Sequence, residues 1–392
     1  EMVKSRVLWA IWLLFTVCFC IMTGGTAGYL LIAVSVVLPL LAGLLTRLAA
    51  SGLKAELTAE SYSEKGAAAS GQVIVTNTSF LPADRLLCRV SCENLLTGEA
   101  ENTTLRMAAP GKMRAATEIE IKSRHSGRVR MTLRQLTLFD PFGLFRFRIR
   151  LGREISALTM FAPHTFSVET QIAYGENANL DSDEYSMKKA GYDPSETFAV
   201  REYQPGDRIR QIHWKLTEKF DSLMVRDYGL PIQNTILLLL ETGRIKGTEK
   251  TDPSCLDALA EAILSVSQEL ISQQIVHTIG WQNHEENTFS SMEIETDEDL
   301  NIVLPGLLGA VPGEDEMSAA EHYLKTREQL EFAHVVLFTP QHRSALSFLA
   351  DQCLLTEVLC EEGGAGYDRQ DGISMIGTGP ETMTEYLSYI EI

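Results

Sequence analysis

The sequence lacks the short motifs that usually mark catalytic and metal-binding sites. It contains no G-x-x-x-x-G-K-[ST] phosphate loop, no G-x-S-x-G nucleophile turn and no H-E-x-x-H pair. Its seven cysteines form no C-x-x-C pair, and such an odd, dispersed set is not a disulfide framework. We therefore expect no cofactor, no catalytic residue and no small-molecule substrate.

Basic charge is also scarce over the chain as a whole. The 392 residues carry 34 Lys and Arg against 52 Asp and Glu, which gives a formal net charge of −18. Nucleic acids select for basic surfaces, so this balance argues against a nucleic-acid partner. Most of the acidity lies in residues 235–392, where there are seven basic and 28 acidic residues. The chain is nevertheless 45% hydrophobic, which is enough for two ordinary cores.

Two long uncharged runs, 7–22 and 29–45, lie near the N-terminus with a Thr- and Gly-rich turn between them. A helix needs roughly 17–20 residues to cross a bilayer, so residues 1–52 predict a transmembrane hairpin. The basic residues that flank the outer ends of the two runs are Lys4, Arg6, Arg47 and Lys54. The positive-inside rule then places both termini and the soluble domains in the cytoplasm, with the anchor in the plasma (inner) membrane. Two alternatives stay open, a signal peptide that ends near Ala27 or two core helices of a soluble domain.

Residues 53–163 predict a β-sandwich domain. Short runs with strand-like alternation are separated by turn residues, at the intervals that are typical of a small immunoglobulin-like fold. The predicted strands cover 71–77, 85–92, 117–121 and 129–133.

One strand of this domain carries a basic face. Arg146, Arg148 and Arg150 recur at period two, so they share one side of a strand and lie opposite Phe145 and Phe147. This side is either an ordinary solvated surface or a surface that rests on the anionic inner leaflet.

The most distinctive stretch falls within residues 164–233, which otherwise predict a linker. A strand is followed by a Gln-Pro-Gly-Asp turn and a second segment, and proline and glycine suit such a turn. Two interpretations stay open, a structural hairpin held by fork-shaped arginine hydrogen bonds or a polar recognition surface for a partner. The residues of this signature are Arg201, Glu202, Tyr203, Pro205, Gly206, Asp207, Arg210, His213, Trp214 and Lys215.

The signature resembles that of a bacterial membrane-protein family, domain of unknown function number fifty-eight, whose pattern is close to R-E-Y-x-x-G-D-x-x-R-x-I-x-W-K. A second run resembles the family's D-P-F-G-L hallmark and consists of Asp140, Pro141, Phe142, Gly143 and Leu144. The resemblance implies two N-terminal membrane helices, a β domain and a von Willebrand factor type A-like domain. It also implies two partners, a MoxR-type AAA+ ATPase and a transglutaminase-like membrane protein.

Residues 234–392 independently predict an α/β domain with a doubly wound sheet. The apolar run 235–240 is typical of a buried parallel strand, and Asp252 with Pro253 predicts the start of a helix. Acidic clusters at 293–299 and 314–316 predict solvated loops or, as the alternative, a docking patch for a basic partner. Further strands are expected at 275–280, 333–339, 357–361 and 373–376, and further helices near 319–330, 342–352 and 381–390.

The metal position of a type A domain is degenerate in this sequence. Such domains usually place Asp-x-Ser-x-Ser after the first strand, where hard oxygen ligands bind Mg²⁺. Here the corresponding run is Glu241-Thr242-Gly243-Arg244-Ile245. Both serines are lost and Arg244 adds a positive charge, so we predict no metal, although Glu241 alone remains as a ligand.

These observations favour a noncatalytic membrane-anchored adaptor or assembly factor, whose cytosolic domain docks a protein such as a MoxR-type ATPase. Two hypotheses compete with it. The first is a metal-dependent enzyme that uses Glu241 with Asp207, Asp227 or His213. The second is a structural envelope protein that only positions other membrane components.

Overall fold

The chain divides into two compact units, residues 1–164 and 165–392, in a computed structural model. The structure describes residues 2–23, 25–171, 185–191, 193–202, 215, 217, 223–231, 236–315, 317–326, 332, 334–343, 346, 350, 353–364, 366–370 and 372–392.

The first unit begins with two apolar helices, α1 (Met2–Thr23) and α2 (Thr26–Ser51). At 1.5 Å per residue they are roughly 33 and 39 Å long, against about 30 Å for the hydrocarbon of a bilayer. Only 11% and 22% of their most apolar windows are buried within the protein. Two such helices could form the predicted membrane hairpin, and they suggest membrane anchoring.

The two helices contact each other through small and polar groups. A Cβ on Gly28 would lie only 2.8 Å from the Cα of Cys20, so glycine permits the close approach beside the turn. Further along, the indole N–H groups of Trp9 and Trp12 donate to the carbonyl and hydroxyl oxygens of Ser35, at 3.1 and 3.0 Å. These bonds satisfy polar groups that would otherwise face an apolar environment.

The rest of the first unit consists of two β-sheets that share one core. The strands are β1 (Leu53–Ala59), β2 (Tyr62–Glu64), β3 (Ala68–Asn77), β4 (Ala83–Asn94), β5 (Ala100–Ala109), β6 (Arg114–Lys122), β7 (Gly127–Phe139), β8 (Arg146–Ile149) and β9 (Ser156–Ala162). One sheet has the order β1-β3-β6, and the other has the order β2-β9-β7-β4-β5 with β8 also paired to β7. The alternation that predicted strands falls within β3, β4, β6 and β7.

Alternate residues of the two sheets build the core between them. Val73 and Ile121 from the smaller sheet cluster with Val90 and Met131 from the larger one, and all are nearly inaccessible to solvent. This apolar layer accounts for the period-two pattern in the sequence, because every second side chain of a strand points inward.

The second unit opens with short strands, β10 (Glu169–Gln171), β11 (Tyr185–Gly191), β12 (Asp193–Glu202) and β13 (Met224–Pro231). The last three form an antiparallel sheet in the order β11-β13-β12. The segment 164–233 therefore contains a small sheet, where the sequence predicted a linker and the signature.

A seven-stranded sheet forms the centre of the second unit. Its strands are β14 (Ile236–Leu240), β15 (His277–Asn283), β16 (Thr288–Ile294), β17 (His334–Thr339), β18 (Leu354–Cys360), β19 (Gly366–Gln370) and β20 (Ile373–Thr378). Their order is β16-β15-β14-β17-β18-β20-β19, with parallel pairing except for the two antiparallel edge strands, β16 and β19. A last strand, β21 (Tyr389–Glu391), pairs in parallel with β10. This unit is a mixed α/β structure.

The described helices of this unit are α3 (Pro253–Ser272), α4 (Asp297–Leu307), α5 (Ala319–Thr326) and α6 (Met383–Tyr386). The Asp252 carboxylate accepts the N–H of Ser254 at 3.2 Å, so α3 begins where the sequence predicted. Leu237 and Leu239 on β14 cluster with Tyr323 on α5, so the intervening residues of β14 face the other side of the sheet.

Two local expectations are wrong. The acidic cluster 293–299 is not a loop, because its first residues end β16 and Asp297 opens α4. Thr296 and Asp299 form a reciprocal capping box there, which explains the acidic residues as helix-start residues. The stretch 381–390 is helical only over α6, since the chain then joins β10 as β21.

Candidate functional site

Ligands in open α/β sheets bind beyond the carboxyl ends of the strands, at the point where the strand order reverses. In this sheet the order reverses at β14, which lies between β15 and β17. The chain runs from β14 directly into Glu241, Thr242 and Gly243, and all three are buried. The carboxyl edge of β14 is therefore the candidate site.

Glu241 is fully buried, and backbone donors hold its carboxylate. Oε2 accepts the N–H of Ala319 at 2.5 Å, and Oε1 accepts the N–H of Gly243 at 3.2 Å. Ala319 is the first residue of α5, so the positive end of the helix dipole also favours the carboxylate. Burial still dominates and raises the pKa of Glu241 to about 7, while Arg343 and the two N–H groups lower it.

Arg343 supplies the positive charge beside Glu241. It is 5% exposed, and its Nη2 lies 3.6 Å from Oε1 of Glu241. Nη1 donates to the carbonyl oxygen of Asp315 at 3.0 Å, and Nη2 donates to that of Gly243 at 3.2 Å. The guanidinium thus joins the end of β14, the loop before α5 and the segment after β17.

The sequence predicted a different arginine at this position, and the structure corrects that prediction. Nη2 of Arg244 pairs with Oε1 of Glu314 at 2.5 Å, and Nη1 donates to the carbonyl oxygen of Thr248. Arg244 therefore closes a loop on the partly exposed side, whereas Arg343, which is distant in sequence, faces Glu241.

A second polar group surrounds Asp315. Oδ2 lies 2.7 Å from Nε2 of His322, 2.9 Å from Nε2 of Gln282 and 3.9 Å from Nδ1 of His284. Burial raises the pKa of Asp315, but the N–H of Met317 and the Gln282 and His322 side chains outweigh it and lower the pKa overall. For His284, burial is the main influence and lowers the pKa.

Gly243 lies in the narrow space between these groups. A Cβ at this position would lie 2.8 Å from Oε1 of Glu241 and 2.9 Å from Nε2 of His284. A side chain at this position would force both Glu241 and His284 to move. Glycine therefore permits the close approach of these two side chains to the backbone after β14.

A further buried acid lies on β18. Oε2 of Glu357 is 2.7 Å from Nδ1 of His342, and Glu357 is fully buried. Burial raises the pKa of Glu357, and the contact with His342 opposes this rise. Like Glu241, this carboxylate is paired within the protein.

The carboxylate of Glu241 is paired within the protein. Within the described part of the chain, no three His, Cys, Asp or Glu side chains are placed to hold a metal ion. Glu241 directs both oxygens toward protein donors and a guanidinium, and an arginine beside a carboxylate competes with a divalent cation for the same charge.

Most of the signature lies outside the described residues, namely Tyr203, Pro205, Gly206, Asp207, Arg210, His213 and Trp214. Arg201 and Glu202 end β12, where they pair in register with Val225 and Met224 of β13. Lys215 is exposed. Asp227, which the enzyme hypothesis invoked, belongs to β13.

The second run, 140–144, forms a turn that Asp140 holds from within. Asp140 is fully buried, and its carboxylate accepts the N–H groups of Phe142 at 3.2 Å and Phe145 at 2.7 Å. The carbonyl oxygen of Asp140 also accepts the N–H of Gly143 at 3.0 Å, and Gly143 has φ +71°, which favours glycine. Pro141 begins the turn, and Leu144 is buried.

Sequence reasoning did not identify Arg343, Asp315, His284 or His322 as parts of one site. His284 follows β15, Arg343 follows β17, Asp315 lies in the loop before α5 and His322 lies on α5, so the fold rather than any sequence spacing brings them together. One signal was available near them, because Ser318 and Glu321 form a reciprocal helix cap, with bonds of 2.6 and 3.2 Å, in the spacing that marks a helix start. That start places the Ala319 N–H beside Glu241.

Solved structures resemble parts of the chain only weakly. The CARDB domain of a Pyrococcus furiosus protein has 13% identity and a TM-score of 0.21, and the match covers 28% of this chain and 96% of that one. An alkylpurine DNA glycosylase from Pseudomonas fluorescens has 14% identity and a TM-score of 0.20 over 35% and 40% of the two chains. A Listeria innocua β-glucosidase has 8% identity and a TM-score of 0.17 over 27% and 16%. Likenesses at this level carry no conclusion about fold or function.

Sequence comparison is more specific. None of the curated proteins matches the chain at a significant level. Residues 199–274 match the family model described as "Protein of unknown function DUF58", and this range spans the signature, β13, β14 and α3. The match supports the resemblance to the DUF58 family over these residues.

Proposed function

We propose that the protein is a noncatalytic, membrane-anchored adaptor or assembly factor that docks a protein partner through its second unit. The observation that carries the proposal is the internal pairing of Glu241. Its carboxylate accepts two backbone N–H groups and lies 3.6 Å from Arg343, so both oxygens already have partners within the protein. A type A-like edge of this kind can bind a protein without a bridging metal.

The finer fold assignments belong to the same proposal. We infer a von Willebrand factor type A-like domain from the family resemblance and from a parallel sheet whose order reverses at β14. We infer an immunoglobulin-like arrangement in the first unit from two sheets that share a core. The two apolar helices support an anchor in the inner membrane. The basic residues at their outer ends favour a cytoplasmic location for the rest of the protein.

The proposed partner is a MoxR-type AAA+ ATPase, and a transglutaminase-like membrane protein would be the second component. This part rests on the family resemblance. The strongly acidic second unit, with seven basic and 28 acidic residues over 235–392, favours a partner surface that is basic.

Co-purification from solubilised membranes tests the proposal. We expect the full-length protein to retain an AAA+ ATPase, and the Arg201→Ala, Lys215→Ala variant to lose it if the signature forms the interface. The matched control is Lys246→Ala, Lys250→Ala, which removes two exposed basic residues elsewhere in the same unit. Retention of the ATPase by all three forms would show that the signature is not the interface. Absence of any ATPase from the wild-type preparation would contradict the adaptor function.

The same preparation separates the competing hypotheses. A metal-dependent enzyme predicts Mg²⁺ binding that Glu241→Ala abolishes, whereas internal pairing predicts no such binding in a calorimetric titration. A structural envelope protein predicts a defect in envelope assembly, so loss of ATPase association without loss of envelope assembly would argue against that hypothesis. An adaptor predicts loss of the ATPase from the membrane fraction.

A further inference from the structure

The turn 140–144 contacts the membrane helices of its own unit. Nε of Arg6, near the start of α1, donates to the carbonyl oxygen of Leu144 at 3.1 Å. The next residue, Phe145, packs on α2, where a Cβ on Gly43 would lie only 2.8 Å from the phenyl ring. The turn is therefore seated where the outer ends of both helices meet the β strands.

The position of Gly43 sets the depth of this contact. It lies within the uncharged run 29–45 and four residues before Arg47, which is about 6 Å along the helix axis. A charged side chain at the end of a span marks the headgroup region. Phe145 is thus at the level of the bilayer interface, and Phe142, which is 43% exposed, is in the same turn.

The basic face of β8 continues directly from this turn. Strand β8 packs against α2, and Ile149 packs against the core of the unit. Arg146 and Arg148 on β8 and Arg150 directly after it are exposed, and within the described residues none of them is paired with a carboxylate. They span about 13 Å at the strand rise of 3.3 Å per residue.

We propose that Phe142, Arg146, Arg148 and Arg150 form a surface that binds the headgroups of anionic phospholipids at the membrane interface. The proposal rests on the membrane anchor of the proposed function and adds a lipid preference to it. Three unpaired guanidinium groups beside an apolar helix end complement phosphate groups, which arginine binds in a bidentate manner. The exposed ring of Phe142, in the adjoining turn, lies at the boundary between hydrocarbon and water.

The bilayer is favoured over an acidic protein because of where the face begins. Arg146 directly follows the residue that packs on α2, so anchoring brings the face to the lipid surface without a further binding step. A basic residue near an anionic surface contributes attraction that corresponds to about fivefold in affinity. An acidic protein would have to compete with phosphates that are already present at high local concentration.

Tryptophan quenching by brominated lipids measures this preference in the full-length protein. Trp9 and Trp12 lie on α1, within two turns of Arg6, so lipids around the base of the hairpin quench their fluorescence. The protein is reconstituted in phosphatidylcholine bilayers with increasing brominated phosphatidylglycerol. In the reference series the phosphatidylcholine is brominated and the phosphatidylglycerol is not. We expect the wild type to prefer phosphatidylglycerol over phosphatidylcholine. In the Arg146→Gln, Arg148→Gln, Arg150→Gln variant this preference should be at least fivefold weaker.

The matched control is Lys122→Gln, Arg124→Gln, Arg128→Gln, which removes the same charge near the other end of β7. Arg128 lies about 30 Å along that strand from Thr137, the residue that pairs with Arg148. The control variant should keep the wild-type preference. High salt should lower the preference of the wild type, which tests the same contact without any substitution.

Each remaining outcome has a distinct meaning. Equal preference in the wild type and the β8 variant overturns the proposal, as does an equal loss in the control, because the effect would then be one of net charge. If neither brominated lipid quenches the tryptophans, the membrane anchor itself fails, and with it the proposed function.

Discussion

Replacing Arg343 by methionine removes the positive charge beside Glu241 and keeps an apolar chain of similar length. The variant loses the 3.6 Å contact to Glu241 and two hydrogen bonds of 3.0 and 3.2 Å to carbonyl oxygens. It leaves a carboxyl group that is fully buried with only two backbone donors. Breaking a buried ion pair by removing one partner typically costs about 3–5 kcal/mol in the free energy of unfolding.

Hydrogen–deuterium exchange measures this loss of unfolding free energy in the second unit of the full-length protein. The amides of β14 are in the fully buried centre of the sheet, so they exchange only when the unit opens. A loss of about 3 kcal/mol makes that opening roughly a hundredfold more frequent. We therefore expect β14 peptides of Arg343→Met to exchange about a hundredfold faster, while peptides of β4 in the first unit stay unchanged.

A matched variant and a double variant decide whether the ion pair is responsible. Arg369→Met removes an exposed arginine of the same unit and should change stability by no more than about 0.5 kcal/mol. Glu241→Gln combined with Arg343→Met should cost at least about 1 kcal/mol less than the sum of the single changes, because the two side chains are coupled. A cost below about 1 kcal/mol for Arg343→Met, or strict additivity in the double variant, would refute the pairing.

Three further outcomes follow from buried or constrained positions. Burial lowers the pKa of His334 to about 4 from an ordinary 6.5, so its contribution of about 3 kcal/mol to stability is present above pH 6.5 and is lost as the pH falls toward 4. Urea unfolding across this range should show a weaker acid dependence for His334→Gln, and an unchanged dependence would contradict the shift. Asp140→Ala should destabilise the first unit by about 1–3 kcal/mol, because two N–H donors lose their acceptor, whereas exposed Asp84→Ala should be nearly neutral in thermal unfolding. Gly143→Ala should cost about 1 kcal/mol because of φ +71°, and Gly152→Ala, which has open space, should not; equal effects would argue against the strained turn.

Local chemistry in the sequence was sufficient for the elements that depend on short-range pattern. The apolar run at β14 and the Asp252 and Pro253 pair at the start of α3 are where the sequence placed them. Both signals are local, since a strand buried on two faces needs continuous apolar residues and a helix start needs a cap and a fixed φ. The two apolar helices were predictable for the same reason.

The candidate site consists of contacts between residues that are far apart in the sequence, and local patterns do not predict such contacts. Glu241 was identified from its place after the first strand of the sheet, but its partner is 102 residues further along, after β17. No spacing rule connects the two, because the strand order brings them together. Sequence proximity suggested the nearer Arg244, and a partly exposed contact with Glu314 holds that side chain instead.

The acidic residues of the second unit show the same limit in another form. The run 293–299 has the composition of a solvated loop, but a threonine and an aspartate three residues apart turn part of it into a helix start. The composition of a segment indicates only that it is solvated. A capping box, in contrast, depends on the spacing of particular residues along the chain. The charge alone therefore could not distinguish a loop from the first turn of α4.

Direct binding of a purified MoxR-type ATPase to the full-length protein in lipid nanodiscs is the measurement that tests the adaptor most directly. We predict saturable binding by the wild type, and the same binding by Glu241→Gln with Mg²⁺ removed from the adaptor beforehand, because that carboxylate is buried and paired. No binding by the folded wild type in any nucleotide state of the ATPase would contradict the adaptor. Binding that is lost in Glu241→Gln, while the unit stays folded, would instead point to a metal-dependent edge.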